Sequence, residues 1–292
     1  MDLSQGGTAN CYIVQTPGQY KFDASVRGNS VENVGNIASA EIVWQFTDPE
    51  NANAKLINYT NLNGNYVEFE VAEDVTYGNA LIAVKDANGT ILWSWHIWLR
   101  DNIKEQQYNG LVWLDRNLGA LAAEAGNPLN IGFYYQFGRK DPFRCGTAVG
   151  STTPVATTGS WPAVTATIPS SPEAYVIANP QQLIARDKDP RDWFATSTSD
   201  QNNALWNSSG KTMYDPCPIG WRVPDFDTDA WGGFNAISYI NNGAYFNSPL
   251  TEPTAYYPYS GFMNYNGTLG EVNQVTSVWY STRAIIFRVA SD

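Results

Sequence analysis

Residues 10–105 carry short runs of alternating apolar and polar positions separated by turn residues. The clearest run is Tyr66–Val71, where the apolar side chains fall on one face and the two glutamates on the other. The dipeptides Asn63-Gly64 and Asn88-Gly89 stand between such runs, and Asn-Gly is a strong hairpin signal. The runs that predict strands are 12–14, 20–22, 41–46, 66–71 and 81–85. Short strands at this spacing predict a β-sandwich of about 100 residues.

A further strand is predicted over residues 91–100, and its two faces differ in character. One face holds Trp93, Trp95, Ile97 and Leu99, and the other holds Ser94, His96, Trp98 and Arg100. His96 is the single histidine of the chain and therefore its single candidate imidazole base. Because it lies on the more polar face and no G-x-S-x-G nucleophile motif accompanies it, we expect a solvated or core-edge histidine without a catalytic role.

The pattern changes after residue 105, where strands become sparser and Pro and Gly cluster. Two segments are predicted to be helical, 180–186 and 225–240. The stretch 146–171 is rich in Thr, Ser, Ala, Gly and Pro and is predicted to be a long exposed loop. A boundary near residues 102–108 divides the chain into one domain at 1–105 and a second at 106–292.

Charge and composition narrow the possible partners. The 292 residues include 17 Lys and Arg against 28 Asp and Glu, which gives a net charge of −11. Nucleic acid and anionic membrane surfaces are polyanions that such a chain repels, so neither is an expected partner. The single histidine excludes metal sites that need two imidazoles. Many aromatic and uncharged polar residues with few charged ones are typical of extracellular and glycan-facing proteins.

One acidic segment has the spacing of a calcium loop. Asp225, Asp227 and Asp229 follow the D-x-D-x-D pattern, in which oxygen ligands two residues apart converge on one ion. Ala230 and Ala236 stand where that loop requires Gly and Glu. We interpret the segment as an Asp-rich helix start, which the helix dipole favours, and predict no metal site.

A second segment, 187–192, mixes acidic and basic residues beside Trp193-Phe194. Two carboxylates in such a segment can serve as the acid and base of a glycosidase when they face each other across a cleft. We interpret the segment instead as a solvated loop with salt bridges. No catalytic residue or cofactor is predicted, and the chain is expected not to be an enzyme.

The stretch 245–265 combines several tyrosines with asparagines and is the best candidate for ligand binding. Aromatic faces stack on the C–H faces of sugars, and asparagine side chains both donate to and accept from hydroxyls. The predicted ligand-binding residues are Tyr256, Tyr257, Asn264 and Asn266, with the two tyrosines expected to be exposed. The same residues are also suited to packing a loop-rich domain that has few aliphatic residues.

The three cysteines, Cys11, Cys145 and Cys217, leave two possibilities open. Cys145 and Cys217 are the favoured disulfide pair, and three small buried thiols are an equally good interpretation. The first seven residues have neither the basic nor the apolar region of a signal peptide. No apolar run reaches about 18 residues, so no membrane span is expected in this chain.

Several motifs resemble known families. The strings TANCYIV (8–14) and GNALIAVKDANGTILWSWHIW (78–98) are similar to a β-domain common in surface proteins of gut Bacteroidetes. The second half resembles the Fibrobacter succinogenes major paralogous domain through DRNLGA (115–120), YQFGRKDPF (135–143) and YDPCPIGWRVP (214–224). VWYST (278–282) is a weaker match near the C-terminus.

The resemblance implies an α+β, C-type-lectin-like fold for residues 106–292, after the all-β sandwich. It also implies an exported protein at the cell surface, in the outer membrane or a fimbrium, with a leader or lipoprotein anchor upstream. Such proteins include fimbrial tip adhesins, so a glycan, a host surface or matrix protein, or other pilus subunits are the expected partners. The calcium-dependent sugar site of C-type lectins is not expected, because Glu252-Pro253-Thr254 departs from its motif.

Two alternatives to an adhesin stay open. The aromatic residues and carboxylates also suit a protein that captures or degrades polysaccharides as part of a glycan-uptake system. A purely structural pilus subunit that polymerises by strand exchange is the other alternative, and an open sheet edge in the N-terminal sandwich is its expected sign.

Overall fold

The computed structural model describes residues 1–47, 54–108, 110–143, 146–147, 154–155, 163–186, 192–207, 209–225, 237–246, 255–281 and 286–290. These residues form a mainly β protein, with one α-helix among them. The prediction of a mainly β N-terminal half is confirmed. None of the described helices is long and apolar enough to cross a lipid bilayer.

The N-terminal half forms two sheets. Its strands are β1 (Cys11–Val14), β2 (Gly18–Asp23), β3 (Ser39–Phe46), β4 (Ile57–Asn63), β5 (Tyr66–Val71), β6 (Tyr77–Lys85) and β7 (Ile91–Arg100). One sheet has the order β1-β7-β6-β3, with β1 parallel to β7, and the other has the order β2-β5-β4. Alternation in β5 buries Val67, Phe69 and Val71, as the sequence pattern predicts.

Aromatic side chains fill the space between these two sheets. Phe22 from β2 lies 5.0 Å from the ring of Trp95 on β7 and 6.2 Å from Phe69 on β5, measured between ring centroids. All three side chains are almost completely buried. Burial of such large apolar surfaces is the dominant stabilising term for a sheet pair of this kind.

The second face of the four-stranded sheet is covered by residues that follow position 113. Trp98 and Leu81 on that face pack in one buried cluster with Leu121, and Phe133 packs against the same cluster. Leu121 N and Phe133 N are held by backbone hydrogen bonds to Leu129 O and Leu118 O. The four-stranded sheet is therefore a middle layer, with the three-stranded sheet on one side and irregular loops on the other.

The remaining strands are short. They are β8 (Glu105–Tyr108), β9 (Leu111–Leu114), β10 (Gly146–Thr147), β11 (Pro154–Val155), β12 (Ala163–Thr165), β13 (Gln182–Ile184), β14 (Ile237–Tyr239), β15 (Gly243–Phe246), β16 (Ala255–Pro258), β17 (Phe262–Met263), β18 (Leu269–Gly270), β19 (Val275–Trp279) and β20 (Ile286–Ala290). They form hairpins and small sheets, of which β14-β15-β16 is the largest. The predicted loop at 146–171 contains β10, β11 and β12, and its other residues lie partly outside those described.

The helix predictions need correction. The α-helix α1 spans Pro172–Ala178, whereas residues 182–184 form β13, which pairs in parallel with β12. A short apolar run is compatible with either a helix or a strand, and pairing with β12 decides for the strand. Residues 237–239 of the second predicted helix form β14, which begins a hairpin with β15, and 226–236 lie outside the described residues.

Buried polar contacts join the two halves of the chain. Asn10 donates from Nδ2 to Asp215 O at 2.8 Å, and Asn79 donates from Nδ2 to Gly119 O at 2.9 Å. A single buried cluster contains Trp95 together with Trp206 and other residues from beyond position 105. The domain boundary near 105 stays a prediction, and across it the chain shares one core.

Candidate functional site

An aromatic-lined cavity of about 1020 Å³ lies among the loops of the C-terminal half. Its size is that of pockets that take small-molecule ligands. Its aromatic lining includes Tyr135, Phe137, Trp193, Trp206, Trp221 and Trp279. These residues come from five separate stretches of sequence, so only the folded chain assembles them.

Hydrogen bonds to backbone carbonyls fix three of the indole rings. Trp193 Nε1 donates to Phe137 O at 2.7 Å, and Trp279 Nε1 donates to Tyr135 O at 2.9 Å. Trp206 Nε1 donates to the backbone carbonyl of Tyr214 at 2.9 Å. Because their polar atoms are already bonded within the protein, these indoles present carbon and hydrogen to the cavity.

A buried ion pair shapes one wall of the cavity. Asp215 accepts from Lys211 Nζ at 2.7 Å and from the backbone N–H groups of Cys217 and Val223 at 2.8 Å each. Lys211 Nζ also donates to the carbonyls of Cys217 and Trp221. Asp215 of the motif at 214–224 and the preceding Lys211 thus satisfy backbone groups of an irregular loop, which has no strand partner to do so.

Charged side chains of the motif at 135–143 also bond to backbone carbonyls. Lys140 Nζ lies 2.6 Å from both Asp141 Oδ1 and Ser94 Oγ, and all three residues are buried. Arg139 Nη1 donates to Gln182 O, and burial lowers the pKa of its guanidinium to about 10. These side chains are almost completely buried, and their bonds to Ser94 hold the loop against β7.

An exposed ion pair lies at the rim of the cavity. Arg222 donates through Nη1 and Nη2 to the two carboxylate oxygens of Asp225, at 2.7 and 2.5 Å. Ser281 Oγ donates to Asp225 Oδ1 at 3.0 Å. The bonds from Arg222 lower the pKa of Asp225, and the bond to Asp225 raises that of Arg222.

Of the carboxylates in the two acidic segments singled out in the sequence, only Asp192 and Asp225 lie among the described residues. Asp225 pairs with Arg222, while Asp227 and Asp229 lie outside the described residues. The described part of the chain contains no group of three or more His, Cys, Asp or Glu placed to hold a metal. Asp192 lines the cavity and accepts from Phe194 N at 2.9 Å, and residues 187–191 lie outside the described residues.

The expectation that Tyr256 and Tyr257 are exposed is wrong. Tyr256 is 0% exposed and Tyr257 4% exposed, because every residue of β16 is covered. Tyr256 Oη donates to Asn241 O at 2.8 Å, and its burial raises its pKa to about 12. Tyr257 lines the cavity, and its hydroxyl donates to Leu114 O at 3.0 Å.

The two predicted asparagines lie in one exposed turn between β17 and β18. Asn266 Oδ1 accepts from Thr268 N and Oγ1 at 3.0 and 2.7 Å, so its side chain closes the turn. Asn264 lines the cavity, whereas Asn266 is not among the lining residues. Of the predicted residues, the structure thus brings Tyr257 and Asn264 to the cavity, and a ligand-binding role for the set stays a prediction.

The single histidine is fully buried, contrary to the expectation of a solvated or core-edge position. His96 Nε2 lies 2.8 Å from Asn79 Oδ1, and Nδ1 lies 3.4 Å from Cys11 Sγ. Since Asn79 Nδ2 donates to Gly119 O, its Oδ1 faces the imidazole as an acceptor. His96 therefore carries its proton on Nε2, and the Cys11 thiol donates to Nδ1.

This order of cysteine, histidine and asparagine is the one that acts in papain-like hydrolases. Here burial raises the pKa of the Cys11 thiol and lowers that of His96 to about 3, so both groups are neutral at pH 7. Cys11 is 0% exposed, and no substrate reaches it in this conformation. The arrangement is a structural hydrogen-bond chain that joins β1, β7 and β6 to the loop at Gly119.

The positions of Cys11 and Cys217 concern the predicted Cys145–Cys217 disulfide. Cys217 is buried and bonds to no other cysteine among the described residues, and Cys145 lies outside them, so the Cys145–Cys217 disulfide stays a prediction. Cys11 pairs with Pro218 across an isolated parallel bridge, so the side chain of the preceding Cys217 points to the opposite side from that of Cys11. Cys11 packs in the buried cluster of Trp98, and Cys217 packs in that of Trp95.

Sequence reasoning missed Trp221, Arg222 and Trp279 as cavity residues. All three stand in motifs that were noticeable in the sequence, at 214–224 and 278–282, but neither motif shows which side chains face a cavity. Comparison with protein-family models, with curated proteins and with solved structures found no match to this chain.

Proposed function

We propose that this chain is a non-enzymatic adhesin-type protein that binds a glycan or a host surface or matrix protein through loops of its C-terminal half. The observation that carries the proposal is the aromatic-lined cavity, whose residues lie in loops and short strands of that half. Concave, largely apolar sites with a few polar groups are where proteins bind small ligands and ligand side chains. Tyr257 and Asn264 from the predicted set take part in the lining.

The absence of an enzymatic role is part of the proposal. The buried groups that resemble catalytic ones are the Cys11–His96–Asn79 chain and the Ser94–Lys140–Asp141 cluster, and both are closed to solvent. Catalysis by such groups requires contact with substrate. The bond from Asn79 on β6 to Gly119 O and the bond from Lys140 to Ser94 O on β7 join strands to distant loops, which supports a structural role.

The setting of the protein is also proposed, and it rests on the motif resemblance. We infer an exported protein of the cell surface, in the outer membrane or at a fimbrial tip. We also infer that residues 106–292 form a C-type-lectin-like domain that follows a sandwich domain at 1–105. The net charge of −11 agrees with partners other than nucleic acid or anionic membranes.

Binding of the purified chain to an array of oligosaccharides and to a panel of extracellular-matrix proteins tests this function. We expect saturable binding to members of at least one panel. Two blank panels, obtained with protein whose folding is verified by thermal denaturation, contradict the adhesin proposal. Release of reducing sugar from any bound polysaccharide identifies an enzyme instead and contradicts the non-enzymatic part.

One observation keeps the structural pilus subunit as a second candidate. β3 and β4 are the outer strands of their sheets, and among the described residues no strand pairs with their outer edges. The outer edge of β2, by contrast, is bonded to the first residues of the chain through Leu3 N and Met1 O. Concentration-dependent formation of linear polymers by the purified chain is the expected sign of this alternative.

A further inference from the structure

We propose that the rim of the cavity at Trp221, Arg222 and Asp225 binds an uncharged sugar ring, with Trp221 as the stacking surface. This inference rests on the proposed ligand-binding function and names the ligand class and the residues that contact it. None of these three residues belongs to the set predicted from the sequence.

Trp221 differs from the other indoles fixed around the cavity. Trp193, Trp206 and Trp279 each donate Nε1–H to a backbone carbonyl. The side chain of Trp221 is partly exposed, and its Nε1–H donates to no residue in the part of the chain that the structure describes. It therefore offers a ligand both an aromatic face and a free hydrogen-bond donor.

The backbone that carries Trp221 is rigidly held. Trp221 N donates to Pro218 O at 3.1 Å, and its own carbonyl accepts from Lys211 Nζ at 2.9 Å. Gly220 has φ +80°, a conformation that favours glycine and closes this turn. A side chain on such a fixed turn loses little further freedom when a ligand binds, which favours affinity.

Polar groups beside Trp221 match the hydroxyls of a sugar. The Asp225 carboxylate is partly exposed and keeps acceptor capacity beyond the bonds from Arg222 and Ser281. A sugar ring has a C–H face that stacks on an indole and hydroxyls that bond to a carboxylate. A purely apolar ligand would leave the exposed carboxylate and the indole N–H without partners.

The charges at the cavity point to an uncharged sugar. Arg222 is held in a two-bond pair by Asp225, and Arg116 is held in the same way by Asp115. The third cationic lining residue, Arg186, donates Nη2–H to Thr196 O. An acidic sugar stacked on Trp221 would meet the Asp225 carboxylate and could pair with Arg222 only by displacing it, which costs electrostatic free energy in a chain of net charge −11.

Oligosaccharides that end in neutral sugars and in sialic acid, uronic acid or sulfated sugars, printed on one array, provide the test. We expect the wild type to bind neutral termini. Trp221→Ala should weaken that binding about tenfold or more, and Trp221→Phe should weaken it less, because it keeps a smaller aromatic face while removing the donor. Tyr59→Ala is the matched control, since Tyr59 is an exposed aromatic residue on β4, and its binding should equal that of the wild type.

Asp225→Asn tests whether the ion pair with Arg222 disfavours acidic sugars, because it removes the charge and keeps the size of the side chain. This variant frees Arg222 from its ion pair, so the ratio of acidic to neutral binding should rise above that of the wild type. Thermal denaturation of each variant verifies that it is folded.

The outcomes distinguish this inference from the function on which it rests. Preference of the wild type for acidic termini overturns the ligand class, and unchanged neutral binding by both Trp221 variants overturns the site. In either case the proposed glycan-binding function stands. A folded wild type that binds no glycan contradicts this inference, and if it also binds no matrix protein it contradicts the proposed function as well.

Discussion

The two halves of the chain satisfy their backbone polar groups by different means. Before residue 105, long strands such as β6 and β7 pair residue by residue, and aromatic side chains fill the space between the sheets. After residue 105, the strands are short, and the ion pair of the partly buried Lys211 with the buried Asp215 bonds to loop carbonyls and N–H groups. The stability of the loop-rich region thus depends on a few ionic residues. The stability of the sheets is distributed over many apolar contacts.

Removing one ionic residue from each half tests most directly whether the two halves differ in their dependence on ion pairs. Asp215→Ala leaves the Lys211 ammonium and the N–H groups of Cys217 and Val223 without their acceptor. We expect the free energy of unfolding, measured by urea denaturation, to fall by about 3–5 kcal/mol.

Glu41→Gln is the matched change in the N-terminal half. Glu41 pairs with Lys85 at 2.6 Å, but both side chains are partly exposed, so the expected loss is under about 1 kcal/mol. Equal losses for the two variants would show that the C-terminal loops do not depend on buried ion pairs as argued.

A smaller effect tests the link between the halves. Asn79→Ala removes the acceptor of His96 Nε2–H and the donor to Gly119 O, and both remaining groups are buried. We expect a loss of about 2–3 kcal/mol in the free energy of unfolding, in a single transition because the halves share a core. Asn61→Ala, on the exposed side of β4, should change stability by less than about 0.5 kcal/mol. Two separated transitions in the Asn79 variant would mean that the halves unfold independently.

The last prediction concerns the change of stability per unit of pH. Burial lowers the pKa of His96 to about 3, while in the unfolded chain it is near its usual value of about 6.5. Between these two values the unfolded chain binds one proton more than the folded one. The free energy of unfolding therefore falls as the pH falls from about 6.5 towards 3, by about 1 kcal/mol per pH unit from this group.

His96→Gln removes that contribution and leaves the carboxylates unchanged. We expect the slope of unfolding free energy against pH, measured from pH 4 to 6, to be smaller in the variant. Identical slopes would mean that His96 takes up its proton without unfolding.

Predictability from sequence differed between the halves for a physical reason. The period-2 pattern placed β5 correctly, because a strand with one core face shows that face in its own alternation of apolar and polar residues. Residues 182–184 and 237–239 were predicted as helix, since short apolar runs in Pro- and Gly-rich sequence have no periodicity long enough to separate the two states. The exposure of Tyr256 was also mispredicted, because a hairpin partner and loops distant in sequence cover it.

Local pattern alone determined that the N-terminal half is mainly β and that His96 and Trp95 lie on opposite faces of one strand. Only the tertiary structure decided that both faces are buried, since the covering residues Leu121 and Phe133 come from another part of the chain. The cavity is a further case: Trp279 is fixed by the carbonyl of Tyr135, 144 positions earlier in the sequence. Pairings over such distances depend on how the whole chain packs, which no local periodicity records.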